Sequence, residues 1–342
     1  MTDFEKQLAE SRDSIATLMQ QLKNSAAEAD GHLHEIENTA ASAKKLEEAM
    51  ARMQADMNKS TLESTPRPPA ESKDSAILEQ AAEAVRSKPE TEYTFDDWNT
   101  RAFDAYRKND FDNAARYWKS AANSPDATPT QAAQSLYNTG VTLGQLNRSE
   151  EAIAVYDEVV KRFGEASEPA LREWVAKALF NKGNGLAQLN RSEEAIAVYD
   201  EVVKRFGEAS EPALRERVAS AQNGKGFTLF CRAKEHWQDE AARSRDLQIA
   251  LALFKQAEVD YLSADNPFVW GNQAYNHFLL GQIEPVRALL KQTLQQGGEK
   301  LYQGTLSDLA IHPVPPDTDF RILLDEVWAE VQPAYGAFVN AP

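Results

Sequence analysis

The chain has 342 residues and carries 53 acidic against 37 basic side chains, a formal charge of −16 and a pI of about 4.9. That balance argues against nucleic acid or an anionic membrane surface as the main partner and makes a basic or neutral ligand electrostatically easier. One cysteine, Cys231, excludes an intramolecular disulfide framework; the absence of a basic-apolar-small leader and of a long apolar run makes the cytoplasm the expected location. Runs of Ala, Glu, Leu and Lys fit an all-α class.

From Phe4 to Met57 the apolar residues advance in alternating steps of four and three, through Leu8, Ile15, Leu22, Ile36, Met50 and others, which predicts a coiled coil over 1–59. One seam series is apolar throughout, whereas its companion is weakened by Ser11, Ser25, His32 and Thr39. Asp30-Gly31 lies at that weak middle and leaves two readings open, one long helix or a helical hairpin; the unbroken heptad phase favours the continuous helix. A stripe that one helix cannot bury predicts a homo-oligomer formed through residues 4–57. Residues 60–92 read as a linker, with Pro66, Pro68 and Pro69 followed by a short helix carrying Ile77, Leu78, Ala81, Ala82 and Val85 before Pro89.

The segment 93–296 reads as a helical array. Trp98, Ala102, Tyr106, Ala114, Trp118 and Ala121 set out an order of large and small residues that later units repeat. Gln145 to Glu173 then recurs letter for letter at Gln188 to Glu216, 29 residues at a shift of 43. Tandem units of this size cannot bury their apolar faces alone and stack on one another. Within the unit, Ala152, Ile153, Tyr156, Val159, Val160 and Phe163 fall at helical spacing, and Leu171, Val175, Ala178, Leu179 and Leu186 do so after a break, giving two helices per repeat. Ser149 is the expected cap of the shorter helix and Gly164 its stop, Ser167 caps the longer helix ahead of Pro169, and Asn190 to Ser192 makes the next turn. Gly226, Ala250, Phe254 and Ala257 keep the order in an enlarged fourth unit, and Trp270, Ala274, Phe278, Val286 and Leu290 form a fifth with Gly281 at its turn. Beyond Gly297-Gly298 the pattern stops. Residues 297–342, with the run Phe320, Leu323, Leu324, Val327, Trp328 and Val331, are the expected cap over the last open face.

Leu179-Phe-Asn-Lys-Gly183-Asn-Gly-Leu186 followed by Ala195-Ile-Ala-Val-Tyr199 resembles the tetratricopeptide repeat pattern, and Leu136, Gly140, Leu143, Ala152 and Tyr156 repeat it one unit earlier. Glycine inside a helix is costly, so Gly140 and Gly183 imply a close crossing of antiparallel helices. The departure from the family is the 43-residue period, which implies a longer first helix. The fold implied is an all-α solenoid of about five hairpins. The resemblance also implies that the first helix of each repeat lines a concave groove for a protein or peptide, placing Asn99, Phe103, Tyr106, Tyr137, Val141, Lys177, Phe180, Asn184, Asn223, Phe227 and Tyr275 on that side. The family's carboxylate clamp is only partly echoed by Lys177, Asn181 and Asn184, and that specificity is not assigned.

Catalytic chemistry finds little footing. Asn223-Gly-Lys-Gly-Phe-Thr228 lacks the spacing of a phosphate loop and falls within a repeat helix. His32 and His34 on one helix point away from each other, and His236, His277, His312 and Cys231 have no readable catalytic partner. No catalytic residue, metal site or cofactor is therefore expected. The reading is a non-enzymatic adaptor in the style of bacterial repeat arrays, which binds a protein or peptide partner, favours ligands that carry Lys or Arg, and self-associates through its coiled coil. Two alternatives stay open: a structural or regulatory subunit of a larger complex, and a helical effector with an activity in 297–342.

Overall fold

The computed structural model describes residues 39–52, 73–261 and 266–339 together with Lys23; all regular structure among them is helical. Most of the heptad seam, the Asp30-Gly31 point and the triple-proline segment lie outside the described residues. Two compact units are formed, one by residues up to Tyr93 with Arg107–Asn109, the other by Thr94–Tyr106 and Asp110 onward. In the first, residues 39–52 are helical and α1 (Lys73–Arg86) buries Leu78, Ala82 and Val85. The Ser87 hydroxyl donates to the Ala84 carbonyl at 2.7 Å where α1 ends, shortly before Pro89.

The second unit is a solenoid of five hairpins: α2 (Phe95–Arg107) with α3 (Phe111–Ala122), α4 (Pro129–Gln145) with α5 (Ser149–Phe163), α6 (Pro169–Gln188) with α7 (Ser192–Phe206), α8 (Pro212–Glu235) with α9 (Glu240–Asp260), and α10 (Pro267–Leu279) with α11 (Val286–Leu309). Consecutive helices pack from α3 onward, and first helices also touch across repeats, α4 on α6, α6 on α8 and α8 on α10. The first helices thus form an inner layer.

In the second, third and fourth hairpins the glycine at the crossing faces an aromatic ring. A Cβ on Gly183 would meet Tyr199 Cε1 at 2.5 Å and one on Gly226 would meet Phe254 Cε1 at 2.7 Å, and Gly140 stands in the same relation to Tyr156. Tyr199 is clamped from the other side too, since a Cβ on Gly224 of the next first helix would come within 2.9 Å of its Cζ. Bare backbone on one helix is what lets the ring of the other sit flat in the interface, where dispersion and apolar burial are greatest.

The turns are closed by left-handed residues, Asn109 (φ 59°), Asn147 (56°), Asn190 (58°) and Gly281 (73°). After α6, Asn190 N–H donates to Ala187 O at 3.0 Å and Arg191 N–H to Leu186 O at 2.9 Å, the paired bonds that finish a helix on such a residue. Asparagine tolerates that region where most L residues do not. So tight a turn leaves only Arg191 before the next helix, and this corrects the expected cap: Ser149 and Ser192 are the first residues of their helices, while Arg148 and Arg191 hold the cap position without a side-chain cap bond. Each arginine instead pairs with the glutamate three residues on, Arg148 with Glu151 at 2.6 Å and Arg191 with Glu194 at 2.6 Å. Likewise Glu168, not Ser167, precedes Pro169, and Gly164 ends its helix in ordinary right-handed geometry at φ −60°.

In the fourth hairpin the extra residues lengthen the helices, α8 to 24 and α9 to 21 residues, and leave a short turn ending at the Asp239 cap. At the end of the array, Gly298 (φ 56°, ψ −150°) bends α11 without ending it, so the expected stop is a kink within a continued helix. α12 (Asp317–Val339) then lays Phe320, Leu324, Val327 and Val331 into a cluster with Tyr275, Leu290 and Leu294. Its other face exposes Arg321, Asp325, Glu326 and Glu330, with Ile322 among them. A polar outer face is what a terminal solenoid helix requires.

A buried polar cluster fixes α12. The side chain of Lys234 is 0 % exposed; its ammonium donates to Tyr275 Oη at 2.7 Å and pairs with Asp317 at 3.3 Å. Tyr275 in turn donates to Asp317 at 2.5 Å, and the Val314 N–H donates to the same carboxylate at 2.9 Å. Lys234→Met should cost about 3 kcal/mol by leaving Asp317 without its cation, and adding Asp317→Asn should recover part of that loss. Urea unfolding of the two single variants and the double variant gives the coupling, and strictly additive costs would dissolve the cluster as a unit. Gly183→Leu, which drives a side chain into the Tyr199 ring, should cost about 3 kcal/mol, read as a lowered urea midpoint; an unchanged midpoint would place the crossing elsewhere.

Candidate functional site

The inner layer takes its polar and aromatic side chains from successive turns of α2, α4, α6, α8 and α10, and the structure divides the expected groove residues into two groups. Phe103, Tyr106, Tyr137, Val141, Phe180 and Tyr275 are buried and pack between helices. Phe103 meets Trp118 edge-on at 5.2 Å, Tyr106 lies 5.3 Å from Phe111, and Tyr275 stacks on Phe320 at 4.4 Å. Asn99, Asn184, Asn223 and Phe227 keep part of their surface in solvent.

The three amides are already engaged on one side. Asn99 Oδ1 accepts from Trp118 Nε1 at 3.2 Å, Asn184 Oδ1 from the Tyr199 hydroxyl at 2.7 Å, and Asn223 Oδ1 from Asn272 Nδ2 at 3.0 Å. Asn181, buried, donates to Tyr137 Oη at 3.2 Å and toward Tyr156 Oη at 3.4 Å. These bonds orient the amides and leave one end of the Asn184 side chain for other use. Because Asn181 and Asn184 serve the tyrosines, the partial echo of a carboxylate clamp does not assemble as one. Lys177 is nearly buried, pairs with Glu173 at 2.6 Å and lies 4.2 Å from the centre of the Trp174 ring. Burial lowers its pKa, against the pull of Glu173.

Trp174 and Arg217 were not expected in this layer. Comparing the two copies inside α6 and α8 shows the signal that marks them. Val175, Ala176, Ala178, Gly183 and Leu186 are unchanged in α8 and pack in the core, whereas Trp174, Lys177, Phe180, Asn181 and Asn184 become Arg217, Ser220, Asn223, Gly224 and Phe227. Leu179 is replaced by Gln222, and Lys177, Phe180 and Asn181 are likewise buried positions that change between the copies.

A ladder of ion pairs links successive repeats. Arg148 reaches back to Asp112, Arg191 to Glu150 and Arg232 to Glu193, each across one repeat. In water such pairs contribute little individually. Among the described residues six large apolar side chains are exposed, Ile249, Val259, Phe268, Ile283, Ile311 and Ile322, spread over several elements.

Among the described residues no three His, Cys, Asp or Glu side chains are grouped to hold a metal ion, and no helix is long and apolar enough to cross a membrane. Burial pushes the Cys231 thiol up to about 12, which keeps it protonated and a poor nucleophile. His277 Nδ1 lies 2.6 Å from Gln282 Oε1, and burial lowers its pKa. The segment resembling a phosphate loop is interior helix, with Gly226 beneath Phe254.

Family models for the tetratricopeptide repeat match residues 100–167 and 176–206. No curated protein matches the sequence. Among solved structures, MamA 41-end from Desulfovibrio magneticus RS-1 is similar at 15% identity and TM-score 0.40, over 64% of this chain and 97% of that one. BtubC (BKLC) from P. vanneervenii is similar at 18% identity and TM-score 0.46, over 70% and 93%. A tetratricopeptide repeat protein from Parabacteroides merdae ATCC 43184 aligns at 13% identity and TM-score 0.38, over 79% and 99%. Similarity at that level assigns no partner. The two matched stretches, built of stacked helical pairs with glycine-on-ring crossings, are tetratricopeptide repeats.

Proposed function

We propose that the chain is a non-enzymatic scaffold that holds a protein or peptide partner along the inner layer of its hairpins and self-associates through residues 4–57. Tetratricopeptide repeats are interaction modules, and the observation that carries the reading is the inner layer itself. Touching first helices present half-exposed Asn184, Asn223 and Phe227, with the amides oriented by bonds to their own fold. Preoriented amides satisfy an extended backbone at little entropic cost, and a partly exposed ring offers an apolar anchor. In this reading 1–59 is a coiled coil, 60–92 a linker, 93–296 the binding array and 297–342 its cap. The chain is a cytoplasmic bacterial adaptor whose partner carries Lys or Arg, drawn by the charge of −16, and is neither nucleic acid nor membrane. The bonds that Lys234, Tyr275 and Asp317 make with one another support a capping role for the C-terminal region over an effector site.

Affinity capture from native cytoplasm supplies the partner, and calorimetry supplies the test. Phe227→Ala should weaken binding about tenfold and added salt should weaken it further, while Lys161→Ala on the outer layer should change affinity less than about twofold. Asn184→Ala should lower affinity and stability together, by about 1 to 3 kcal/mol each, because it also strips the Tyr199 hydroxyl of its acceptor. Binding lost only on changing the outer helices would move the site. For assembly, light scattering should give a multiple of the chain mass for the full protein and the single-chain mass for a chain beginning at Asp74; equal single-chain masses would contradict self-association through the seam.

A further inference from the structure

Arg217 stands on α8 where the preceding copy has Trp174, the first position at which the two copies part. Their packing is equivalent. Trp174 lies against Tyr137 of the preceding first helix with ring centres 5.2 Å apart, and the Arg217 guanidinium carbon lies 5.6 Å from the ring centre of Phe180 at the same sequence separation. Their chemistry is not: an indole is satisfied by apolar contact, whereas a guanidinium is a fixed charge with a planar fork of N–H donors.

The neighbouring polar groups are taken up by others. Lys177 pairs with Glu173, the Tyr261 hydroxyl donates to Ser220 Oγ at 3.2 Å, and Ser220 donates to the Glu216 carbonyl at 2.8 Å. Arg217 is 7 % exposed, yet among the described residues its guanidinium makes no hydrogen bond and no ion pair, not even with adjacent Glu216. None of its nitrogens is fully sealed from solvent, so each keeps a little contact with water. A cation so far removed from water and unpaired is costly to the folded chain, and a carboxylate that reached it would make short, paired, charge-assisted bonds beside a ring that excludes water.

We propose that Arg217 is the anchor for one acidic side chain, Asp or Glu, of the segment bound along the inner layer; this rests on the groove reading above. The partner's charge is then patterned: Lys and Arg answer the charge of the whole chain, and a single carboxylate in register with α8 answers Arg217. Net charge governs encounter over long distances, whereas the local unpaired fork selects register.

The test uses short synthetic peptides of neutral to basic composition, each made with Glu or with Gln at one scanned position and titrated calorimetrically into the full chain. At one register the Glu form should bind about tenfold tighter than its Gln twin. That preference should vanish in Arg217→Met, which keeps the apolar contact with Phe180, and should largely fall in Arg217→Lys, which keeps the charge but not the fork. A thermal melt of each variant reports folding, and if Arg217→Met does not fold the Lys variant decides alone. Peptides that bind with no preference for Glu overturn the inference and leave the groove standing, as does a preference that survives in the variants. Stabilisation of the chain by inorganic phosphate, with Glu and Gln forms binding alike, identifies a free-anion site and overturns it too. Peptides that bind in neither form overturn this inference together with the groove.

Discussion

An aromatic ring lying against the bare backbone of a helical glycine is the contact on which the array depends. Gly140 with Tyr156, Gly183 with Tyr199 and Gly226 with Phe254 set the distance between the two helices of three successive hairpins. Tyr199, held also by Gly224, links one hairpin to the next through the same ring. Glycine is a poor helix residue, and its cost is offset only because the ring it admits buries so much surface.

The inner layer follows from that spacing. Because the tyrosines are buried, their hydroxyls need partners, and Asn181 and Asn184 of α6 supply them. A structural demand of the core thereby orients the Asn184 amide, which also keeps part of its surface in solvent. The buried Lys234 cluster plays the corresponding part at the far end, where Asp317 ties the start of α12 to α8 and α10.

Much of this was legible in the letters. The repeat, the two helices per unit, the small residues at the crossings and the fifth hairpin all follow from apolar spacing and self-similarity, because helical periodicity is set locally. What the sequence did not disclose depends on geometry between distant residues. Ser149 reads as a cap until the left-handed Asn147 shortens the turn by a residue and moves Arg148 into the cap position. Lys234 and Asp317 are far apart in the chain and share no motif. Phe103, Tyr137 and Phe180 lie on the first helices of their hairpins, but only their packing shows that they belong to the core. Arg217 carries a faint signal, as the first letter at which two otherwise identical copies differ, yet its lack of a partner is visible only in three dimensions.

A partner held along the inner layer would cover side chains of the first helices and leave those of the outer helices and α12 as they are. Hydroxyl-radical footprinting of the full chain, alone and saturated with its captured partner, reads this from side-chain access to solvent. The account predicts that oxidation of Trp174 and Phe227 falls on binding while that of Ile249 and Ile322 is unchanged; protection of Ile249 or Ile322 with Trp174 and Phe227 still reactive would contradict it.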